Sequence, residues 1–129
     1  MISVRMAQLS ELDDAKDFIR KIFPDAFVHV QDEDTILLAE YKGEKVGFAH
    51  VIDQGERLVL QGIGVEERMR NRGVGTVLIE SVVEIAAETD RPVFLKVKLM
   101  NPAVDLYSRY GFFMKKFGNT LVLVKRPCN

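Results

Sequence analysis

The sequence predicts a mixed α/β domain built on a twisted, mostly antiparallel sheet of about seven strands, with helices on both faces. Three observations carry that reading. Short runs rich in Val, Ile, Leu and Phe recur along the chain, divided by Gly, Pro, Asn and Asp turns. Runs 35–41 and 45–52 are joined by the tight turn Lys42-Gly43-Glu44-Lys45, which suits an antiparallel pair. Residues 57–98 instead read strand, helix, strand, and such a βαβ unit makes its two strands parallel neighbours.

The elements follow in order. Residues 2–5 alternate like a strand. Ser10, with Asp13 three residues on, resembles a capping box, and Leu12, Ala15, Ile19 and Ile22 follow at helical spacing. Pro24 ends that helix. Residues 25–34 form a polar connection with room for one helical turn around 26–30. Asp53-Gln54-Gly55-Glu56 turns the chain into the strand 57–65. A helix covers 73–88, with Val74, Val77, Leu78, Ser81, Val82 and Ile85 on one face and Glu80, Glu84 and Glu88 on another. Asp90-Arg91-Pro92 breaks the chain before the strand 93–98. Asn101-Pro102 opens a short helix running to Arg109, with Pro102 at its first position and Gly111 as its cap. Residues 112–117 and 120–125 form a last hairpin around Gly118-Asn119.

The 129 residues suit one domain, 1–129, and 47% hydrophobic content is ordinary globular composition. No apolar run has the length of a transmembrane helix, and the N-terminus lacks a signal-peptide core. A net charge of −1 argues against a general nucleic-acid binder. Cys128 has no partner for an internal disulfide, so a cytoplasmic, reducing location is expected.

The most informative segment is Arg70-Asn71-Arg72-Gly73-Val74-Gly75-Thr76, between a buried strand and a helix. The first N–H groups of a helix have no intrahelical acceptor, and the helix dipole adds partial positive charge there. Glycine lets an anion approach the backbone, and Arg68, Arg70 and Arg72 supply full charges. The pattern therefore suits a phosphate or pyrophosphate. It is not a nucleotide P-loop, because no Lys-Ser/Thr pair follows the glycines. It is not a dinucleotide fingerprint either, because Leu78 stands where a third small residue is needed and residues 66–72 separate the glycines from the strand.

Over essentially its whole length the chain resembles the GNAT superfamily of acyl-CoA-dependent N-acyltransferases. Residues 65–75, ending Arg70-Asn71-Arg72-Gly73-Val74-Gly75, match that family's Arg/Gln-x-x-Gly-x-Gly/Ala pyrophosphate motif. Residues 101–112 resemble its Asn-x-x-Ala-x-x-x-Tyr-x-x-x-Gly-Phe segment, with Ala103 two residues after Asn101 and Tyr107 six after it.

The resemblance implies a GNAT-like sheet whose central parallel strands, 57–65 and 93–98, splay apart. It implies acetyl-CoA as co-substrate, with its pantetheine arm paired to the backbones of Ile63, Gly64 and Val65. Gly64 is a poor strand former, which suits a bulge as well as a close approach of the cofactor. The backbone from Arg70 to Thr76 would hold the pyrophosphate through Arg70, Asn71, Arg72, Gly73, Val74, Gly75 and Thr76. Asn101 would touch the cofactor arm or cap its helix, or do both. The implied reaction is attack of a primary amine on the thioester. A backbone N–H near Gly64 or Val65 would polarise the carbonyl, and Tyr107 would protonate the leaving thiolate, with Tyr110 as the alternative acid. The base is open between a water held by Gln61, His50 and Glu66, and His29 could touch the acceptor. No metal is implied.

The acceptor is a small-molecule, peptide or protein amine. Acidic residues Asp25, Asp32, Glu33 and Asp34 would favour a cationic one, and a homodimer partner could complete the site. No nucleic acid or membrane is expected as a partner. A catalytically silent acyl-CoA-binding module on the same fold is the competing reading. A nucleotide-binding module is disfavoured by the missing Lys-Ser/Thr pair.

Overall fold

A computed structural model describes residues 1–26, 28–98, 101–118 and 120–127. Seven strands form one sheet: β1 (Ser3–Met6), β2 (Thr35–Tyr41), β3 (Glu44–Asp53), β4 (Leu58–Val65), β5 (Val93–Lys98), β6 (Phe113–Lys116) and β7 (Thr120–Lys125). Their order across the sheet is β1-β2-β3-β4-β5-β7-β6, and only β4 and β5 run parallel. The helices are α1 (Leu12–Ile22), α2 (Val74–Glu88) and α3 (Ala103–Arg109).

The alternation in β2 shows why both faces are covered. Ile36 and Leu38 point to one face, where Leu12, Ala15, Phe18 and Ile19 of α1 pack with Phe48. Leu37 and Ala39 point to the other, into the cluster built by α2. The buried residues of α2 are Val74, Leu78, Ile79, Val82 and Ala86. Val77 and Ile85, expected on the buried stripe, are half-buried at its flank. The buried stripe therefore runs one residue further round the helix, through Ile79 and Ala86.

Three other local expectations change. α1 does not start at a Ser10–Asp13 box. A 3-10 turn, Leu9–Glu11, leads into it, and Glu11 accepts from the backbone N–H of Gln8 at 2.7 Å. Arg5 on β1 grips the same carboxylate and also Glu40, so the strand fixes where the helix begins. Among the described residues of 26–30 no helical turn forms: Ala26 is a bend, 28–30 are irregular, and Val30 plugs into the α1 cluster, while Phe27 lies outside the described residues. Pro102 stands at the N-cap of α3, one position before the first helical residue. Asn119 of the last turn and Cys128 also lie outside the described residues.

The central feature is the parallel pair. β4 and β5 match only at Leu58–Val93 and Val59–Phe94, with the Leu58 N–H donating to the Pro92 carbonyl at 2.9 Å. Beyond that point β4 stays with β3 as far as Val65, and β5 stays with β7 over all six of its residues. The two strands therefore diverge into a wedge. A bulge helps to turn β4: His50 pairs with Gly62 and Val51 with Leu60, leaving Gln61 as the extra residue.

Gly64 is not that bulge. A Cβ there would lie 2.7 Å from Phe48, 2.8 Å from Phe23 and 3.0 Å from Ile22. The strand needs glycine because the C-terminal end of α1 rests directly on it, locked by an edge-on Phe23–Phe48 contact with ring centroids 5.9 Å apart. Gly64→Ala should overpack this contact and lower stability by about 1–3 kcal/mol, measured by urea denaturation. Gly62→Ala, whose Cβ would meet Phe48 at 3.7 Å, should cost less.

Candidate active site

The turn 66–76, where the sequence suggests a phosphate, is assembled from three devices. A 3-10 turn, Glu67–Met69, follows β4, and the buried Met69 side chain anchors it to the core. Asn71 and Gly73 then take left-handed backbone angles, φ 63° and 87°, which reverse the chain into α2. The first helical bond runs from the Val77 N–H to the Gly73 carbonyl at 3.1 Å. No side chain caps this helix and no acidic residue sits in its first turn. The N–H groups of Val74, Gly75 and Thr76 thus lack an intrahelical acceptor at an end of positive dipole. Above Gly73 the space is open, with no atom within 4 Å of where a Cβ would stand. Val74 itself is buried, so only its backbone serves the turn.

The arginines divide. Arg68 donates to Glu66 at 2.8 Å and Glu44 at 2.9 Å, so its charge is already committed. Hydrogen bonding to Glu66, first of all, raises its pKa further. Arg68, expected beside Arg70 and Arg72 as a charge for the turn, is thus held by carboxylates instead. Arg70 reaches only the Val65 carbonyl, at 3.4 Å, and neither Arg70 nor Arg72 has an ion pair among the described residues.

Register decides which groups of β4 face the wedge. The Glu66 N–H donates to the Val46 carbonyl at 2.9 Å. In an antiparallel ladder the hydrogen-bonded pairs alternate, so Gly64 and Gly62 also turn their main-chain groups to β3. Ile63 and Val65 turn theirs away, towards the wedge that β5 leaves. The contact of Arg70 with the Val65 carbonyl agrees with that direction.

α3 brings the second motif alongside. Leu106 lies 3.6 Å from the Cβ position of Gly75, so α3 packs on the first turn of α2. Asn101 does not occupy the N-cap, which is Pro102, but its Oδ1 accepts from the Ala103 N–H at 2.9 Å just ahead of α3. Tyr107 is buried at 5% exposure, its ring 5.7 Å from that of Phe112. Gly111, at φ 89°, closes the helix, with the Phe112 N–H donating to the Tyr107 carbonyl at 3.2 Å. Desolvation pushes the Tyr107 phenol up to about 12, so it stays protonated at neutral pH. Tyr110 is half-buried at the helix end.

The base candidates fare differently. His50 is buried, and its Nε2 lies 2.8 Å from Asp34, which also accepts from the Gln31 N–H at 3.0 Å. Asp34 is therefore not part of an exposed acidic face. It ties the connection after α1 to the sheet. Both oxygens of Glu66 are engaged, by Arg68 and by Lys21 at 3.4 Å, at the edge of a cleft lined by Ile22, Val65 and Arg70. Gln61 is exposed at the bulge. Asp25, His29, Asp32 and Glu33 are exposed on the connection. The bulge at Gln61 and the His50–Asp34 pair escaped sequence reasoning. The one available signal was a polar residue amid an apolar run, beside Gly62.

The molecule is thus a scaffold with strand edges inside a wedge and, beyond the end of one of those strands, a helix whose N-terminus no side chain caps. The Acetyltransferase (GNAT) family model matches residues 4–112, and the chain belongs to that family. Over 95 residues it is 33% identical to an uncharacterized N-acetyltransferase of Methanocaldococcus jannaschii, a match covering 67% of this chain and 42% of that protein. The chain thus spans less than half the length of that curated relative. Among solved structures, it resembles the ribosomal-protein-S18-alanine N-acetyltransferase of Escherichia coli with a TM-score of 0.83 at 15% identity, covering 100% of this chain and 96% of that one. It resembles an acetyl-CoA-bound GNAT acetyltransferase of Elizabethkingia anophelis with a TM-score of 0.71 at 17% identity, covering 97% of each. At these identities the likeness is one of fold. Among the described residues no helix is long and apolar enough to cross a membrane.

Two stability measurements test the placement of these side chains. His50→Ala would leave the buried Asp34 carboxylate short of a partner and should cost about 2–3 kcal/mol by chemical denaturation. For Tyr107, the folded state binds the phenolic proton more tightly than the unfolded chain, whose value is 10.0. Its contribution is complete below pH 10 and is lost as pH rises towards 12. Tyr107→Phe should lose less stability than wild type over that window.

Proposed function

We propose that this chain is an acetyl-CoA-dependent N-acetyltransferase that acylates a primary amine. The observation that carries the reading is the divergence of β4 from β5 after Val59 and Phe94. It frees the main-chain groups of Ile63 and Val65 to pair with an extended arm, and the uncapped turn 70–76 lies one 3-10 turn further along. A long ligand with an amide-bearing arm and a pyrophosphate fits that sequence of groups.

When bound, acetyl-CoA supplies the thioester: the amine nitrogen bonds to the carbonyl carbon and the C–S bond breaks. The rest falls to this chain. Backbone N–H groups of Val74, Gly75 and Thr76, with Arg70 and Arg72, would hold the pyrophosphate. The N–H of Ile63 or Val65 would stabilise the oxyanion; Gly64, whose N–H faces β3, would not. The Tyr107 hydroxyl would donate its proton to the leaving thiolate. A solvated amine has a pKa of about 10.4, so it must lose a proton before attack. With His50 tied to Asp34 and Glu66 held by two cations, a water positioned by exposed Gln61 is the base this reading favours. The same engagement of His50 and Glu66 favours the silent acyl-CoA-binding module as the second reading. Thiol release from acetyl-CoA in the presence of an amine panel separates the two.

Gly73→Glu, which would fill the open space above the turn, and Gly75→Glu, whose Cβ would stand 3.6 Å from Leu106, should both abolish CoA binding in isothermal titration while the far-UV spectrum is retained, because each sets a carboxylate at the anion site. Unchanged affinity in both would reject the assignment. Arg72→Ala should weaken binding less. Tyr107→Phe should lower turnover by roughly 10²–10⁴-fold with CoA affinity preserved. The pH–rate profile should keep its shape in His50→Ala, rising with acceptor deprotonation. Loss of the acid limb in that variant would instead make His50 the base.

A further inference from the structure

The charges of this chain are divided unevenly. Residues 91–129 hold eight Lys and Arg against one acidic residue, Asp105, although the whole chain has a net charge of −1. The fold gathers several of these cations on one surface. Val93, Leu95 and Val97 point into the core beneath α2, so alternation puts Phe94, Lys96 and Lys98 on the opposite face of β5. Register extends that face across the sheet. Phe94 faces Val124, which faces Phe113; Lys96 faces Val122, which faces Lys116; Lys98 faces Thr120. α1 lies on this side, but it packs on β2 and β3, and its C-terminal end, Ile22 and the capping Phe23, rests on β4 at Gly64. Lys96, Lys98, Lys115 and Lys116 are exposed, and none has a carboxylate partner among the described residues.

We propose that this face binds an acidic, extended polypeptide segment, and that this segment belongs to the acceptor. The inference rests on the N-acetyltransferase reading, because Lys96 and Lys98 line the β5 side of the wedge in which the acetyl group would sit. An amine delivered to the wedge places the residues that follow it over this surface. Lys96 and Lys98 stand two residues apart on one strand, roughly 6.6–6.8 Å, which is the repeat of alternate side chains along an extended peptide. Lys116, two strands over, adds a cation roughly 10 Å away. Val122 lies between Lys96 and Lys116 as an apolar floor.

Nucleic acid fits the same face less well. Single strands bind through free aromatic faces on which bases stack. Here Phe94 already carries Arg57 at 4.5 Å and Lys115 at 4.9 Å from its ring centre, and Phe113 carries Arg126 at 5.8 Å. Each ring already carries a cation, while Lys96, Lys98 and Lys116 are exposed beside them, which suits carboxylates.

The test uses three fluorescent probes of equal length on the full chain: a lysine-free peptide with Ala at its N-terminus and Asp and Glu at alternate following positions, its Asn/Gln counterpart, and a single-stranded oligonucleotide. Binding is read by anisotropy in the presence of CoA. Wild type should bind the acidic peptide about tenfold more tightly than the neutral one, with the difference shrinking as salt rises. Lys96→Glu/Lys98→Glu should remove that preference, and Lys116→Glu, two strands from the wedge, should reduce it while leaving CoA affinity unchanged by titration. In the thiol-release assay the same preference should appear in kcat/KM. Equal affinity for the two peptides, a preference retained in the double variant, or tighter binding of the oligonucleotide overturns the proposal. Failure of CoA itself to bind would instead overturn the N-acetyltransferase reading, while the anisotropy result stands on its own.

Discussion

One strand pairing sets the rest of the molecule. β4 is bonded to β3 along its length but to β5 at only two positions. A sheet with this topology must open on the far side of those two positions, and it opens where the strands run towards the phosphate turn. Had β4 and β5 paired throughout, Ile63 and Val65 would spend their main-chain groups on β5, and no strand edge would be left in the interior of the sheet. The wedge is thus a withheld set of hydrogen bonds, kept from collapsing because β5 is fully paired to β7 and β4 is held under α1.

The two ends of β4 are fixed by different means. At its start the parallel pair and the Leu58–Pro92 bond hold it. At its end Phe23 and Ile22 press on Gly64, and Val74 of α2 presses on Gly47 of β3 from the opposite face, 2.8 Å from where a Cβ would stand. Two glycines on neighbouring strands let two helices approach the sheet from both sides at one level. That level is also where the turn 66–73 leaves the strand, so the anion site and the wedge are positioned by the same packing.

Most of this was legible in the sequence. The strands 35–41 and 93–98 lie where their alternation and turns put them, and the order of strand, turn, helix and strand followed from the βαβ reading, while the wedge was implied only by the resemblance to the GNAT family. What was hidden was pairwise. Whether Arg68 serves a ligand depends on Glu44, 24 residues away, and whether Asp34 is a solvated charge depends on His50 on another strand. Gly64 illustrates a subtler limit. Its place in a strand announced a special role, but bulge, ligand approach and helix contact all ask for glycine, and only the neighbouring Phe48 and Phe23 identify the helix contact. The capping of α1 was missed for a like reason, because its anchor, Arg5, lies on a strand rather than in the helix.

The insertion of β7 between β5 and β6 has a consequence for how the chain acquires its structure. β5 lacks a full neighbour on the wedge side by construction, so its other edge depends on residues 120–125. During synthesis β5 emerges well before β7, and through that interval both of its edges are bare. An apolar strand with two open edges is the pattern that recruits other chains. The exposed lysines at 96 and 98 sit on that strand, where like charge disfavours the stacking of two such intermediates. Closing the sheet is also a late, long-range event, since the central strand waits for the last one. Folding should therefore be limited by the docking of the 113–125 hairpin rather than by the formation of α1 and the β2–β3 pair.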